Sequence, residues 1–407
     1  MNKQERILLL VLALVQFTNI MDFMIMMPLG PQLMRLFDIS PQQFSILVSS
    51  YTFTAGIVGF LFSFFIDQFD RKKALQLAYI GFTLGTFACA LSPSYQALIA
   101  ARIFTGMFGG ILGAITLSIV GDAFSFERRA AAMGIVMSAF AAASVFGVPF
   151  GLFLATAFSW HMPFMALGSA GIVISLLVYL YVPEMRMHIE EMKPDSRRFD
   201  SLRRILNNRN QLAALSLMML IMLGQFTIIP FIAPYMVSNV GFEEHQLMYI
   251  YLLGGAATLI TSPFVGKASD KYGKPLVFTI FAVLSVIPLF LITNMPAVPI
   301  VWVLIVTTLF FIFISGRGIP ATTMISGTVE PGNRGSFMSI NSCVQQLSSS
   351  FASFIGGSIV IKDGTGKLMH YQYVGYIAIG ATLLAIVLSR KLKVIDDVHT
   401  APIVVIE

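Results

Sequence analysis

Charge is scarce in this chain, and its scarcity excludes more than any single motif does. Only 11% of the 407 residues are Asp, Glu, Lys or Arg, and 57% are hydrophobic. A soluble domain carries roughly 25% charged residues. The chain therefore reads as membrane-embedded, not as two or three soluble domains. Cysteine is almost absent. Cys89 and Cys343 both fall inside apolar stretches, which leaves neither a disulfide framework nor a cysteine metal site. His161, His188, His245, His370 and His399 lie in loops or the tail, so no imidazole stands within the membrane as a proton carrier or ligand. There is no G-x-x-x-x-G-K-[ST], no G-x-S-x-G and no G-x-G-x-x-G after a strand. Nucleotide hydrolysis and serine-hydrolase chemistry thus have no visible apparatus. The expectation is a protein that is not an enzyme and needs no cofactor or metal.

What is present is a series of twelve apolar stretches. They cover 7–34, 42–66, 74–91, 96–120, 131–158, 163–183, 211–238, 246–265, 276–294, 298–328, 335–361 and 371–390. About 20 residues at 1.5 Å rise cross a core roughly 30 Å thick, so each is predicted to be a membrane-spanning helix. With a cytoplasmic N-terminus, 21 of the 26 basic residues fall in cytoplasmic segments and three in external ones. The other two, Arg102 and Arg317, lie inside the stretches. This bias predicts both termini on the cytoplasmic side of a cell's inner membrane. The net charge of +6 is spread over loop ends, where anionic headgroups and not nucleic acid are the natural partner. The first stretch, some 28 residues long, exceeds a signal-peptide core and is read as retained.

The chain divides at its one long, charged connection. Residues 1–183 form a six-helix bundle, 184–210 a cytoplasmic linker, 211–391 a second bundle and 392–407 a cytoplasmic tail. Within the linker, 199–206 has the pattern of a surface helix. The halves repeat. Asp67 and Asp270, each followed by basic residues, are 203 positions apart, and Arg129-x-x-x-Met133 recurs 205 positions later as Arg334-x-x-x-Met338. Duplicated parallel halves are a transporter architecture, with substrate bound between them near the midplane.

Gly266, Asp270, Lys271, Gly273 and Lys274 nearly complete the loop motif G-x-x-x-D-(R/K)-x-G-(R/K)-(R/K). The first copy keeps Asp67, Arg71, Lys72 and Lys73 but has Ser63, Gln68 and Asp70 elsewhere. Arg102-x-x-x-Gly106 stands in the fourth stretch, and Gly147-Val-Pro149-Phe-Gly151 in the fifth resembles G-P-x-x-G with proline displaced by one place. On these residues the whole chain resembles the major facilitator superfamily, and within it the twelve-helix drug:proton antiporters. The resemblance implies a monomer with two pseudo-symmetric six-helix bundles. It further implies that Gly147, Pro149 and Gly151 belong to a segment associated with export, unless they serve packing alone.

Charges in lipid are expensive, about 3 to over 10 kcal/mol when isolated, so the buried ones locate the chemistry. Asp22 lies roughly 24 Å into the first stretch and Arg102 roughly 9 Å into the fourth, from opposite sides, so their depths nearly coincide. Asp22 is the candidate proton carrier, with Arg102 tuning it; the alternative is a permanent structural pair. Gln16, Asn19 and Asp22 share a helix face, and with Gln225, Asn341 and Gln345 they are the candidate lining of a substrate cavity. Asp67 and Arg71 are four residues apart, within reach of each other if the helix of the second span continues to Lys73. The resemblance implies that with Asp122, and with Gly266, Asp270, Lys274 and Glu330 in the other half, they form a cytoplasmic gate; otherwise they mark topology. Arg317 is expected to snorkel to the interface, an anionic partner being the alternative.

The expectation is a secondary active transporter that exchanges protons for a small amphipathic or cationic compound by alternating access. A sugar, metabolite or lipid-like exporter, or a facilitator without proton coupling, remains open. A transporter-like membrane sensor is disfavoured by the lack of a soluble output domain.

Overall fold

A computed structural model describes residues 3–63, 65, 68–124, 126–185, 205–330 and 334–395. Asp67, most of the expected surface helix at 199–206 and the end of the tail lie outside them. Lipid offers no partner for backbone polar groups, so apolar stretches close their hydrogen bonds internally as helices. In the first half these are α1 (Lys3–Ile25), α2 (Gly30–Leu36), α3 (Pro41–Ser63), α4 (Arg71–Ala90), α5 (Tyr95–Ala123), α6 (Phe126–Ala142), α7 (Val148–Ala157) and α8 (Met162–Tyr181). In the second they are α9 (Arg209–Phe226), α10 (Ile229–Tyr235), α11 (Leu247–Tyr272), α12 (Lys274–Thr293), α13 (Ile300–Ser326), α14 (Arg334–Ile359) and α15 (Tyr371–Ser389). A two-stranded antiparallel hairpin, β1 (Ile361–Lys362) with β2 (Leu368–Met369), precedes α15.

Among the described residues, ten segments are long and apolar enough to cross a membrane. The two that fall short, α4 and α14, are 20 and 26 residues long, or about 30 and 39 Å. Their polarity explains the shortfall. Arg71, Lys72 and Lys73 open α4, and α14 is rich in Ser, Asn and Gln. Each packs inside the assembly, α4 against α5 and α8, and α14 against α3 and α9.

The first span, expected as a continuous helix, is broken, and so is the seventh. Residues 26–29 form a turn containing Pro28 between α1 and α2, and α9 gives way to α10 just before Pro230. Proline has no N–H to donate to the preceding turn, so the ladder stops at these points. The fifth span is interrupted differently, by a π-helical turn at Ala143–Gly147 ahead of Pro149.

Helix pairing follows the duplication. In the first half α3 packs on α5, α4 on α5 and α8, and α1 on α6 and α8. In the second α11 packs on α13, α12 on α13 and α15, and α9 on α14 and α15. These are equivalent pairs span for span. The bundles meet through α3 against α14, and through α7 and the π-turn against α11.

The apolar cores show how the bundles are arranged. Take the side carrying the chain ends as the terminal side and the opposite side as the far side. One buried cluster on the far side draws on both halves, from Ile25, Leu33 and Phe44 to Phe231, Ile250 and Tyr371. On the terminal side there are two clusters, one confined to the first half (Leu12, Tyr79, Ile119) and one to the second (Leu217, Phe278, Met324). The halves therefore share one core on the far side and keep separate cores on the terminal side, which leaves room there for a chamber between them.

Candidate functional site

Asp22 sits on the last turns of α1, just before the break at residue 26. It is fully buried, and Arg102 Nη1 donates to its carboxylate Oδ2 at 2.6 Å and to its backbone oxygen at 3.3 Å. The Thr86 hydroxyl on α4 donates to Oδ1 at 3.2 Å. Both members of the ion pair have no exposure. The depth match read from the sequence thus corresponds to a direct contact. A charge-assisted bond this short in a low dielectric is strong, and it offsets much of the desolvation cost of the two charges.

Tyr51 on α3, which sequence reading passed over, completes the cluster. Its ring lies under the Arg102 guanidinium, with Cζ 4.4 Å from the ring centroid, so ring and carboxylate share the cation. The Tyr51 hydroxyl donates to Asn19 Oδ1 at 2.7 Å, and Asn19 Nδ2 donates to the Gly109 carbonyl at 3.4 Å. Phe23 stacks on Tyr51 at 5.6 Å and reaches Phe226 of the other half at 5.9 Å. The Asp22–Arg102 pair is therefore linked to the junction between the bundles through a two-ring layer. In this conformation the face bearing Gln16, Asn19 and Asp22 turns into the first bundle and not onto an open chamber wall. Gln16 is buried and Asn19 half-buried.

The remaining cavity candidates divide. Gln345 and Ser342 are exposed on α14. Each stands nine residues, two and a half turns, from an exposed phenylalanine, Phe354 and Phe351 respectively. The polar pair therefore lies on the opposite face of α14 from the phenylalanines. Asn341 is buried beside them, with Oδ1 making no hydrogen bond. Gln225 is half-buried near the end of α9, next to Phe226.

Gly147 and Gly151 press the fifth span onto the first. A Cβ on Gly147 would lie 3.0 Å from Met21 Sδ, and one on Gly151 would lie 2.7 Å from Ile25 Cδ1. The backbone of Ser144, inside the π-turn, lies 3.1 Å from where a Gly255 Cβ would be. The Gly-Val-Pro-Phe-Gly segment thus sits at a crossing of three spans, one residue from Asp22 on α1. π-turns of this kind are frequent at functional sites.

Of the candidate gate, the structure brings together Arg71 and Asp122, Nε to Oδ2 at 2.9 Å. The helix of the second span does not continue to Lys73. α3 ends at Ser63, and the Asp70 carboxylate caps a new helix by accepting from the N–H groups of Lys72 and Lys73. Capping explains the Asp at this place in the first copy. In the second copy Gly273, at φ 92°, makes the one-residue link between α11 and α12, a backbone shape that favours glycine. Gly266 is half-buried near the end of α11, Asp270 and Glu330 are exposed and Lys274 half-buried. Among the described residues, no ion pair joins these three charged groups.

Arg317 does not snorkel. It is 1% exposed, donating from Nη1 to Thr382 Oγ1 at 2.7 Å and reaching Ser285 Oγ at 3.5 Å. It sits on α13 with its guanidinium held inside the second bundle by α12 and α15.

The family model of the Major Facilitator Superfamily matches residues 12–223 and again 214–402. Two proteins of Bacillus subtilis (strain 168) are similar. The uncharacterized MFS-type transporter YtbD is 26% identical over 393 residues, covering 94% of this chain and 95% of that one. The uncharacterized MFS-type transporter YbcL is 26% identical over 333 residues, covering 81% and 83%. Among solved structures, a D-xylose–proton symporter superposes with a TM-score of 0.77 at 16% identity, covering 95% of this chain and 97% of that one. A bacterial homologue of the human lysosomal transporter Spinster, inward-facing and occupied, gives 0.73 at 15% identity, covering 96% of each. The two matches to one family model repeat the duplication seen in the helix pairing, and together they span nearly the whole chain. This twelve-span protein is a member of the Major Facilitator Superfamily.

Proposed function

We propose that this transporter exports small amphipathic compounds across the inner membrane in exchange for protons. Asp22 is the proton carrier and Arg102 the group that holds its charge. The observation carrying this reading is the fully buried Asp22–Arg102 pair, an ionisable group in the membrane joined to the bundle junction by Tyr51 and Phe23. Intramembrane carboxylates of this kind mark proton relays. The basic bias makes the terminal side cytoplasmic, so the chamber described above opens inward. Export is favoured by the Gly147–Pro149–Gly151 segment, whose π-turn lies where the first, fifth and eighth spans cross.

Proteoliposomes loaded with a pH dye test this directly. Adding a transported amphipath to one side drives proton movement through the wild-type chain and none through Asp22→Asn. Substrate flux that ignores an imposed pH gradient, in both proteins alike, removes the proton from the cycle. That outcome is what the second reading requires, a carrier for a neutral polar compound without proton coupling. The uncharged wall at Ser342 and Gln345 favours that reading.

The far-side closure carries a smaller prediction. Arg35, after the first span, pairs with Glu244 before the eighth at 2.7 Å, across the two halves. The Arg35 side chain is 71% exposed, so the pair contributes at most about 1 kcal/mol. Arg35→Ala is expected to shift the balance toward far-side opening by no more than about fivefold. Spin labels on Leu36 and Tyr249 would report it as a longer distance population, and high salt should produce the same shift in the wild type.

A further inference from the structure

Among the described residues, Arg317 has no counter-charge. It is wrapped by α9, α12, α13 and α15, and only Nη1 makes hydrogen bonds; Nε and Nη2 have none. Gly224 on α9 makes room for it, since a Cβ there would lie 3.5 Å from Nη2 and 3.1 Å from Thr382 Oγ1. The acids between 211 and 395 are Glu243, Glu244, Asp270, Glu330 and Asp363. All of them sit in loops or on end turns of helices, and none pairs with Arg317. A guanidinium stays protonated in proteins.

The equivalent place in the first half carries no charge. The repeat offset of 203 to 205 places residues 112–114 (Leu112, Gly113 and Ala114) opposite Arg317 in the first half. Leu112 there is fully buried in an apolar core. Asp22, Arg102 and Arg317, the fully buried charges inside the spans among the described residues, sum to one positive charge. A proton on Asp22 would only add another.

We infer that Arg317 sets a standing positive potential in the chamber, and that the cargo bears an anionic group such as a carboxylate or sulfonate, with cations disfavoured. The cargo assignment rests on the export reading above; the potential does not. Gly224 directs its missing side chain at Arg317, and two residues further Phe226 touches Phe23 of the opposite bundle. The guanidinium thus lies about one helix diameter, roughly 10 Å, from the bundle junction. At an effective dielectric of about 20 to 40, a unit charge at that distance changes monovalent binding by roughly four- to fifteen-fold, favouring anions and opposing cations. An anion leaving a cell whose interior is negative also moves down the membrane potential.

The potential can be read without knowing the cargo. In full-length protein carrying Cys89→Ala and Cys343→Ala, Gln345→Cys places a thiol on the chamber wall. Its reaction rates with a sulfonate-bearing and a trimethylammonium-bearing methanethiosulfonate are each divided by the rate of a free thiol. The anionic reagent is expected to be favoured at least tenfold. Arg317→Gln and Arg317→Met should each reduce that preference severalfold, and Arg317→Lys should keep it. A preference below twofold, or one that both neutral variants leave unchanged, overturns the potential. The second arm uses the native cysteines and two naphthalene probes that differ only in a sulfonate or a trimethylammonium group. Preferred export of the sulfonate supports the cargo assignment, and preferred export of the cation overturns it. If the thiol preference holds and neither probe moves, the cargo assignment falls with the export reading, while the chamber potential stands.

Discussion

Asp22→Asn is expected to reduce proton-linked flux to the level of empty liposomes while the two bundles stay folded. Arg102→Ala is expected to damage folding as well. The difference follows from what each change leaves behind. Asparagine keeps the shape of the side chain, and Arg102 retains the Asp22 backbone oxygen at 3.3 Å and the Tyr51 ring at 4.4 Å. Removing Arg102 leaves a fully buried carboxylate with one remaining donor, the Thr86 hydroxyl. Breaking a buried pair in this way costs about 3–5 kcal/mol. The double variant Asp22→Asn with Arg102→Gln removes both charges and should recover most of that loss, yet remain uncoupled. Thermal unfolding in detergent and proton flux in liposomes, measured on all four proteins, separate the stabilising role of the pair from its transport role. Normal coupling in Asp22→Asn would leave a structural pair and no carrier. A double variant as unstable as Arg102→Ala would mean the instability comes from lost packing against Tyr51 and not from the orphaned charge.

How far the sequence foretold this arrangement depends on what kind of information each feature needs. The spans were legible because lipid forces apolar runs into helices and positions basic residues at one face. The Asp22–Arg102 contact was legible because helix rise converts position into depth, and two costly charges at one depth have reason to meet. Depth carries no information about direction around the helix axis or about neighbours from distant spans. Tyr51 was therefore missed: nothing distinguishes a tyrosine beneath a guanidinium from one packed in the core. For the same reason Arg317, expected at the interface, is found inside the second bundle, where Thr382 from α15 and Ser285 from α12 reach it. The break at residues 26–29 was obscured because apolar residues run through it. In the loop motif Asp70 departs from the family pattern, and its reason, a cap that starts α4, is visible only in the structure.

The first span's polar cluster depends on how closely α3 and α5 approach, and glycines set that distance. A Cβ on Gly110 would lie 2.2 Å from the Ala55 carbonyl oxygen, and one on Gly106 would lie 2.5 Å from the Tyr51 carbonyl oxygen. Both obstacles are backbone, which cannot swing aside as a side chain can. Small residues four apart are how membrane helices reach such contact. Gly110→Ala therefore forces the two helices apart by about 1 Å, at a cost of about 1–3 kcal/mol. Gly113, three residues on, has open space where its Cβ would be. Gly113→Ala should be neutral, or stabilising by about 0.5–1 kcal/mol through helix propensity alone. The two alanine variants thus differ only in what the new methyl group meets. Separation of α3 from α5 also draws Tyr51 away from Arg102 and Asn19, so Gly110→Ala should lose proton-linked flux although it touches no charged group. Comparing unfolding temperature and flux in the two variants tests the contact. If Gly110→Ala behaves like Gly113→Ala in both measurements, the native helices do not approach this closely, and the geometry assigned to the Asp22 cluster fails with them.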